Sequence, residues 1–389
     1  MSEPNSSDRI RFNRPSIVGD ELAYVRDSIE SGRTSAGGPY SAKAAALVRE
    51  HIGAEEALLT TSCTSALELS ALMLDLEPGD TVVVPSFTFT ATGLAFARQG
   101  ARLIFCDIEE RTLGMDPEHL ASLVDESVRA VVIVHYAGVA CDVEGIRKVL
   151  SQWPEISLIE DNAHGYLGTW RGEALGTLGR FATQSFHETK NIVCGEGGAL
   201  LLNDPADIDR ARILYDKGTN RRAFMLGQVD KYSWKDTGSS FGMSDTLAAY
   251  LLAQLEHATE IQTARRRIHQ WYEDRLGPDA DELGITIADP PPDRGSAYHM
   301  FYVLLDDKPS RDRVLGEMHD AGVNAVFHYV PLHDSDGGRK FAARETDCPV
   351  TVDISGRLLR LPFYNDLSEA DVDRVVDVFR TAVLAGAER

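Results

Sequence analysis

Short apolar runs alternate with helical patterns through the first half of the chain, at the spacing of strand–helix–strand crossover units. The runs of strand length span residues 81–84, 102–106, 131–135 and 156–159. This alternation predicts an α/β fold with a largely parallel sheet. Ligands of such sheets bind beyond the carboxyl ends of the strands. Four polar residues fall at or just past such ends: Asp107, His135, Asp161 and Lys190.

Lys190 lies on a tight connection between two buried runs, residues 181–186 and 198–202. A loop lysine is usually solvated, but a lysine held at a strand end can have a lowered pKa and attack carbonyls. Asp161 alone would be interpreted as a cap or turn residue. Together the two match a pyridoxal phosphate (PLP) site, in which the lysine binds the cofactor covalently and the aspartate keeps the pyridine nitrogen protonated.

A Ser/Thr cluster, Ser62-Cys63-Thr64-Ser65, opens another helical pattern. Such a cluster is first of all an N-cap, because its side chains accept hydrogen bonds from the free backbone N–H groups of the first turn. The same N–H groups and the helix dipole also attract anions. Capping and phosphate binding are therefore both open here, and they are compatible.

These segments resemble the sugar-nucleotide aminotransferases, a PLP-dependent family, and the resemblance extends from about Phe12 to Leu367. Further motifs in family order are Pro85-Ser86-Phe87-Thr88-Phe89, Glu160-Asp161, Ser185-Phe186-His187 and Phe327-His328-Tyr329-Val330-Pro331. Within the family the chain is most similar to the dTDP-4-amino-4,6-dideoxyhexose transaminases. That similarity is carried by Ser62-Cys63-Thr64, Phe186-His187-Glu188-Thr189-Lys190-Asn191 and Gly238-Ser239-Ser240.

The resemblance implies PLP fold type I, the aspartate aminotransferase-like fold, with a large domain on a mostly parallel sheet and a smaller α+β domain. We expect the large domain at residues 12–250 and the small domain at 251–389, with a helix at 20–31 packing on the small domain. Residues 1–11 are predicted to be a disordered polar leader. The resemblance also implies a homodimer with its active site near the interface.

Cofactor contacts follow from the resemblance residue by residue. Cys63 and Thr64 would hold the PLP phosphate through backbone and hydroxyl, and Ser185 would add a second hydroxyl. Phe89 would stack on the pyridine ring. His164 stands where the family usually has a glutamine that reaches the phenolic oxygen. Ser240 replaces an asparagine that reaches the cofactor phosphate of the neighbouring subunit.

Substrate contacts are expected outside the cofactor site. Their candidates are His187, Glu188, Arg221, Tyr232 and His328. Arg221 would contact a nucleotide diphosphate and Tyr232 a base or sugar, although both also fit an ordinary solvated loop. His328 would face the sugar, as the matching family segment does, although a single histidine is usually structural.

Composition limits the remaining classes. The 389 residues are 43% hydrophobic, enough for a sizeable core, and the net charge of −21 argues against a nucleic-acid-binding protein. The five cysteines have no metal-ligand spacing. The polar first residues are unlike a signal peptide, and no apolar run is long enough for a membrane helix, so a cytoplasmic protein is expected.

The predicted reaction transfers an amino group from L-glutamate to a dTDP-linked 4-keto-6-deoxyhexose. Alternatives are amination at carbon 3, a PLP-dependent sugar dehydratase and a PLP-binding protein without turnover. Lys190 argues against the dehydratase, because the dehydratases of this fold carry histidine at that position. The configuration at carbon 4 and the identity of the nucleotide stay open.

Overall fold

The structure is a computed structural model that describes residues 9–387. The helices of its first part are α1 (Glu21–Glu30), α2 (Pro39–Ile52), α3 (Cys63–Leu72), α4 (Thr90–Ala97), α5 (Pro117–Leu123), α6 (Val143–Leu150), α7 (Ile208–Tyr215), α8 (Arg221–Met225) and α9 (Asp245–Glu256). Its strands are β1 (Glu56–Thr60), β2 (Thr81–Pro85), β3 (Arg102–Cys106), β4 (Val128–Val134), β5 (Ser157–Asp161), β6 (Thr169–Trp170), β7 (Glu173–Ala174), β8 (Phe181–Ser185) and β9 (Gly198–Leu202).

The second part of the chain forms a smaller set of elements. Its helices are α10 (Ala258–Leu276), α11 (Lys308–Asp320), α12 (Asp336–Phe341), α13 (Pro349–Arg357) and α14 (Glu369–Ala387). Its strands are β10 (Thr286–Ile287), β11 (Arg294–Gly295), β12 (Tyr302–Leu304) and β13 (Leu358–Arg360).

The central sheet has the strand order β1-β9-β8-β5-β4-β2-β3. Strands β3, β2, β4, β5 and β8 are mutually parallel, whereas β9 runs antiparallel to both β8 and β1. The prediction of an α/β fold with a mostly parallel sheet is thus confirmed. The carboxyl ends of the parallel strands meet at one edge of this sheet, which is where the candidate site lies.

Helices cover both faces of the sheet, which explains why its strands are continuous apolar runs. Val82 and Val84 pack on the side of α3 and α4, whereas Val83 packs on the side of α5 and α6. In the neighbouring strand β4, Val132 packs on the side of α3 and α4, and Val131 packs on the side of α5 and α6. Successive side chains of a strand point to opposite faces, so each strand contributes to two core layers.

The change from one core to the other falls inside helix α10, beyond the predicted boundary at residue 250. Ile261 still packs with the large-domain cluster beneath α2 and α9, whereas Ile268 packs in the small-domain core. Helices α9 and α10 are separate elements. Ser244 does cap α9 by accepting a hydrogen bond from the N–H of Leu247, but the helix breaks at His257 before α10 begins.

The N-terminal segment differs from its prediction in two ways. Helix α1 packs against α9 and not on the small domain, because Tyr24 packs in the large-domain cluster and the Glu21 carboxylate binds Gln254 of α9. The link to the small domain is made earlier in the chain, by Ile10, which is buried in that core and bridges Val323. Ile10 is therefore ordered, while residues 1–8 of the predicted leader lie outside the described residues.

The small domain contains a three-stranded sheet of order β10-β12-β13. Residues 324–329 join this sheet through a single bridge, in which Val326 and Arg360 exchange both backbone hydrogen bonds. The chain leaves the sheet after this bridge because the Tyr329 ring packs against Phe87 and Tyr136 of the large domain. This departure carries His328 toward the candidate site.

Within residues 9–387, none of the helices combines the length and the apolar character that crossing a lipid bilayer requires. The cytoplasmic location predicted from the sequence stays a prediction.

Asp107, one of the strand-end residues, fastens the C-terminal part of the chain to the sheet. Its carboxylate accepts hydrogen bonds from the N–H groups of Val350 and Thr351 (2.9 and 2.8 Å) and from the Thr351 hydroxyl (2.7 Å). We expect Asp107→Ala to lower the free energy of unfolding by about 3 kcal/mol, because buried donors at the start of α13 lose their acceptor.

Denaturant unfolding of the two proteins measures this loss. Asp336→Ala is the matched control: its ion pair with Arg339 is exposed, so the change should stay below about 0.5 kcal/mol. Equal stability of Asp107→Ala and the wild-type protein would contradict the role of Asp107.

Candidate active site

Lys190 lies on the connection between the antiparallel strands β8 and β9, as the sequence predicts. The connection is tight: the Lys190 N–H donates to the His187 carbonyl (2.9 Å) and the Phe186 N–H to the Gly197 carbonyl (2.8 Å). Burial lowers the pKa of the Lys190 amine to about 8, against which the nearby acids Cys63 and Asp161 act in the opposite direction. At neutral pH a useful fraction of this amine is therefore uncharged and nucleophilic.

Asp161 is the last residue of β5 and lies opposite Thr183 of the parallel strand β8. Its carboxylate accepts hydrogen bonds from the Thr92 hydroxyl (2.7 Å) and the Ala163 N–H (3.3 Å). Burial raises the pKa of Asp161, while the Thr92 hydrogen bond and the charge of Lys190 oppose that rise. The strand pairing thus brings together the acid and the amine predicted from two separate segments. Thr92 lies inside α4, and the sequence does not predict its contact with Asp161.

The start of α3 forms a cup beside these two residues. Ser62 caps the helix by accepting a hydrogen bond from the Ser65 N–H (3.1 Å), which confirms the predicted cap. Cys63 and Thr64 are the first residues of the helix, and the Cys63 thiol lies 3.5 Å from the Thr183 hydroxyl. Ser185 lies nearby at the end of β8, because Gly198 pairs with both Ser185 and Thr60.

Gly198 allows the cup to approach the sheet. A Cβ atom at this position would lie 2.5 Å from the backbone nitrogen of Cys63 and 2.5 Å from the carbonyl carbon of Ser62. Such distances leave no room for a side chain. The free N–H groups at the start of α3 therefore depend on this glycine for their position.

Phe89 and His164 are two further residues that the sequence predicts for the cofactor site. Phe89 is the N-cap residue of α4 and is 60% exposed, which is unusual for an aromatic residue between a buried strand and a helix. His164 is buried and its ring stacks on His299 at 4.2 Å with an interplanar angle of 19°. Burial and the charge of Lys190 hold the pKa of His164 well below its usual range, and its Nδ1 is a buried atom without a hydrogen-bond partner among the described residues.

His299 is part of a link that the sequence does not predict. The amide nitrogen of Asn191 donates to the Ala297 carbonyl (2.7 Å), so the Asn191 Oδ1 faces His299 and accepts from its Nδ1 (2.8 Å). The residue after Lys190 is thereby tied to the segment that leads into β12. The position of Asn191 directly after Lys190 was the available sequence signal, but its partner His299 lies more than a hundred residues later in the chain.

His328 is in contact with Arg360. The Arg360 guanidinium donates to the His328 Nε2 (2.7 Å), and the His328 Nδ1 lies 3.2 Å from the Tyr136 hydroxyl. Burial and the charge of Arg360 lower the pKa of His328 to about 2, so this imidazole is neutral. Arg360 is the last residue of β13 and was not predicted as a site residue. Its place at the end of a short apolar run is the sequence signal that could have identified it.

The remaining predicted residues are exposed or half-exposed. His187 is half-exposed and bonds to the Thr189 hydroxyl (2.9 Å), and Glu188 is exposed, with its carbonyl bound by Asn13. Arg221 and Tyr232 are exposed in the segment around α8. Ser240 is exposed as well and bridges Asp216.

Two other strand-end residues have structural contacts instead of a place in the site. Asp107 binds the start of α13, as described above. His135 donates from Nε2 to the Glu160 carboxylate (2.9 Å), and both side chains are fully buried. The same carboxylate accepts from the N–H groups of Gly176, Leu178 and Gly179, so this pair holds the loop before β8.

The residues present fit pyridoxal phosphate. The cofactor needs a reactive amine, an acid for its ring nitrogen, an anion site for its phosphate and a flat apolar surface for its ring. Lys190, Asp161 and the start of α3 lie within electrostatic reach of one another, and Phe89 supplies an exposed aromatic ring at the start of α4, in the turn that also carries Thr92. The unpartnered nitrogen of His164 is a further polar atom in the same region.

Comparison with known proteins agrees with this chemistry. Residues 15–380 match the DegT/DnrJ/EryC1/StrS aminotransferase family. The dTDP-4-dehydro-2,3,6-trideoxy-D-glucose 4-aminotransferase of Saccharopolyspora spinosa is 32% identical over 383 residues, 96% of this chain and 97% of that protein. The crystal structure of the aminotransferase TlmJ from Streptoalloteichus hindustanus has a TM-score of 0.89 and 31% identity, and the match covers 97% of this chain and all (100%) of TlmJ.

A second similar structure shares the fold at lower identity. Spr1654 from Streptococcus pneumoniae, assigned as a sugar aminotransferase, has been solved in a PLP form with a TM-score of 0.88 and 24% identity, covering 97% of this chain and 99% of that chain. It has also been solved in the pyridoxamine phosphate form. The members of this family are PLP-dependent, and PLP is the cofactor of this chain.

We expect Gly198→Ala to weaken PLP binding by at least about tenfold, because the added methyl group displaces the start of α3. Titration of the PLP-free protein with the cofactor measures the affinity. Gly316→Ala is the matched control, since that glycine has open space around its Cβ position. An unchanged affinity in Gly198→Ala would contradict the proposed phosphate cup.

The lowered pKa of Lys190 predicts a pH profile. A lysine loses its proton as pH rises through its pKa, so acylation of Lys190 in the PLP-free protein should rise with a midpoint near pH 8. Peptide mass spectrometry after brief labelling at a series of pH values measures this rate, with the peptide of Lys148 as internal reference. A midpoint near the ordinary lysine value of about 10.4 would contradict the burial of the amine.

Proposed function

This chain belongs to the DegT/DnrJ/EryC1/StrS aminotransferase family and is a sugar aminotransferase, and we propose that it transfers an amino group from L-glutamate to carbon 4 of a dTDP-linked 4-keto-6-deoxyhexose. The observation that carries the family activity is the pairing of the Lys190 amine with the Asp161 carboxylate at neighbouring strand ends. The choice of carbon 4 and of dTDP is supported by the Saccharopolyspora spinosa relative, an aminotransferase named for that carbon and that nucleotide.

PLP, when bound, supplies an electron sink for the negative charge left when a proton leaves the carbon next to the amine. Lys190 binds the cofactor and is released when the donor amine arrives. Its freed Nζ would then accept the proton from the α-carbon of the donor and deliver it to the neighbouring carbon of the cofactor, C4′. General acid–base catalysis of this kind contributes roughly two to four orders of magnitude in rate. A pKa of about 8 suits this task, because the amine can both accept and lose the proton near neutral pH.

Asp161 holds the proton of the ring nitrogen. The Thr92 hydroxyl donates to one carboxylate oxygen and is itself positioned by the Thr88 hydroxyl (2.8 Å). This chain of hydroxyl groups stabilises the ionised form of Asp161 against the burial that raises its pKa. An ionised carboxylate is the state that keeps a pyridine nitrogen protonated.

We further propose that the active unit is a homodimer in which each subunit completes the site of the other. The segment around α8 carries exposed apolar side chains, among them Met225 (73% exposed) and Trp234 (82% exposed). Arg221, Tyr232 and Ser240 lie on or after this segment and are exposed. A partner subunit would place them over the substrate and bury the apolar side chains.

The test is the absorbance of bound PLP in the purified protein. L-Glutamate should remove the band of the bound cofactor, and dTDP-4-keto-6-deoxyglucose should restore it with formation of an amino sugar whose structure gives the carbon position. Lys190→Ala should show no turnover, while Lys148→Ala, an exposed lysine on α6, should match the wild-type protein.

Two outcomes would contradict the proposal. A band that glutamate removes and that the keto sugar never restores would exclude this acceptor. Amino-sugar formation by Lys190→Ala at the wild-type rate would exclude the assigned role of the lysine.

A further inference from the structure

A cavity of about 240 Å³ lies between the two domains. It is lined by helix α10 and by residues between 287 and 302, together with residues 111–112 and residues between 136 and 139 of the large domain. Lys190, Asp161 and the start of α3 are not among the described residues that line it. Small molecules often bind at the interface between domains. The cavity is therefore a candidate for a second binding site, apart from the cofactor site.

The charged residues that line the cavity are mostly cations. Arg111, Arg266 and Arg294 contribute three guanidinium groups. Glu273 is the one lining carboxylate among the described residues, and the ring of His269 lies 3.4 Å from it. The chain as a whole has a net charge of −21, so this lining runs against its composition. A local excess of positive charge in an acidic protein attracts anions.

Arg294 lies at the cavity with part of its hydrogen-bonding capacity unused. Its side chain is 10% exposed, and Nη1 donates to the Ala140 carbonyl (3.1 Å). Its Nε is a buried atom without a hydrogen-bond partner within residues 9–387. The Asp293 carboxylate lies 3.8 Å from Nε and also binds Arg171 at 3.0 Å. Because a buried guanidinium needs acceptors, a ligand that supplies oxygen atoms would stabilise it.

Arg266 is a second cation that is free to meet a ligand. It is exposed on α10, and no hydrogen bond or ion pair joins it to another residue in the part of the chain that the structure describes. Arg111, by contrast, has an acidic partner, because the Asp289 carboxylate lies 3.7 Å from its guanidinium. Two of the three arginines at the cavity therefore carry charge that the protein itself does not fully compensate.

The neutral lining and the volume limit the ligand further. Tyr298 has a hydroxyl without a hydrogen-bond partner among the described residues, and its ring lies 5.5 Å from that of His269. Since a cavity of about 150 Å³ can hold benzene, this larger one has room for a single ring with one charged group. A nucleotide-linked sugar is too large. Arginines bind phosphate oxygens through strong charge-assisted hydrogen bonds, and a free phenol suits a ring hydroxyl.

Two residues of the lining have a strained backbone. Ala137 has a φ of 55° and Tyr298 a φ of 51°, in the left-handed region that residues other than glycine rarely adopt. The two segments are joined, because the Ala297 N–H donates to the Gly138 carbonyl (2.9 Å). Strain of this kind persists only where the surrounding structure holds it, and it is common at functional sites.

The strained segment leads directly to the catalytic lysine. Tyr298 precedes His299, whose Nδ1 bonds to the Asn191 side chain (2.8 Å), and Asn191 follows Lys190. A ligand that binds the strained conformation of Tyr298 raises the population of that conformation. Occupation of the cavity would therefore favour the arrangement in which His299 holds the residue beside the lysine.

We propose that this cavity binds a phosphorylated monosaccharide and that its occupation strengthens binding of the amino donor at the active site. Arg266 and Arg294 receive the phosphate, and Tyr298 contacts the sugar ring. The effect on the donor rests on the proposed function, because L-glutamate is the donor of that reaction. Binding to the cavity itself does not depend on the reaction.

Calorimetry with glucose 1-phosphate tests the site in the PLP-loaded enzyme, with saturating dTDP present to occupy a nucleotide site. The wild-type enzyme should bind glucose 1-phosphate more tightly than either glucose or inorganic phosphate. Arg266→Gln should weaken binding at least about tenfold, because a charged hydrogen bond to the phosphate is lost. Arg267→Gln is the matched control: it changes the next residue of α10, which packs on Trp271 and does not line the cavity, so the Kd should stay the same.

The absorbance of bound PLP tests the effect on the donor. Saturating glucose 1-phosphate should lower the apparent Kd of the wild-type enzyme for L-glutamate at least about fivefold. Arg266→Gln should respond to L-glutamate as the wild-type enzyme does without glucose 1-phosphate, and it should lose the fivefold effect. Tyr298→Phe keeps the ring and removes the hydroxyl, so it should weaken glucose 1-phosphate binding less than Arg266→Gln does.

Three results overturn the proposal alone. They are absence of glucose 1-phosphate binding in the wild-type enzyme, equal binding by Arg266→Gln, and binding that leaves the affinity for L-glutamate unchanged. Failure of the proposed function looks different, because the wild-type enzyme would then not respond to L-glutamate at all. Calorimetry would still decide whether glucose 1-phosphate binds through Arg266.

Discussion

The structure depends on one strand, β8, which pairs in parallel with β5 on one side and antiparallel with β9 on the other. The parallel pairing places the end of β8 beside the end of β5, where Asp161 lies. The antiparallel pairing forces the chain to turn back within a short connection, which holds Lys190 at that same edge. A crossover helix after β8 would have carried the lysine away from the acid. The reversal of β9 is therefore what turns a general α/β sheet into a site for PLP chemistry.

Burial then gives this site its reactivity. Removing Lys190 from water lowers the pKa of its amine, and removing Asp161 from water raises the pKa of its carboxyl group. The Thr92 hydroxyl opposes the second shift by donating a hydrogen bond to the carboxylate. The neutral histidines around them add polar atoms without adding charge, because burial also lowers their pKa values. Arg360 is left as the permanent cation of the group.

The sequence predicts the parts of the site that are local to a strand or a helix start. Asp161, Lys190 and the Ser62 cap each follow a clear change from an apolar run to polar residues, so the residue pattern alone is enough to assign their places. Thr92 could not be assigned in this way, because a threonine inside a helix has no local mark that it faces a carboxylate 69 positions later in the chain. The partners of Asn191 and His328 likewise depend on how the small domain packs.

The division between the two cores also depends on contacts that the residue pattern does not show. Helix α1 leaves its apolar residues Leu22 and Ile29 exposed and meets α9 through buried polar residues, among them Glu21, which accepts a hydrogen bond from Gln254. Likewise, helical periodicity runs through α9 and α10, so the change of core between Ile261 and Ile268 leaves no mark in the pattern.

The covalent attachment of the cofactor to Lys190 is the central claim. Its most direct test is borohydride reduction of the PLP-loaded enzyme, which traps a lysine-bound pyridoxal, followed by peptide mass spectrometry. We predict that the pyridoxyl group is found on the peptide that contains Lys190 and that prior incubation with L-glutamate removes it. Attachment to another lysine, or none in a protein that holds PLP, would contradict the active site described above.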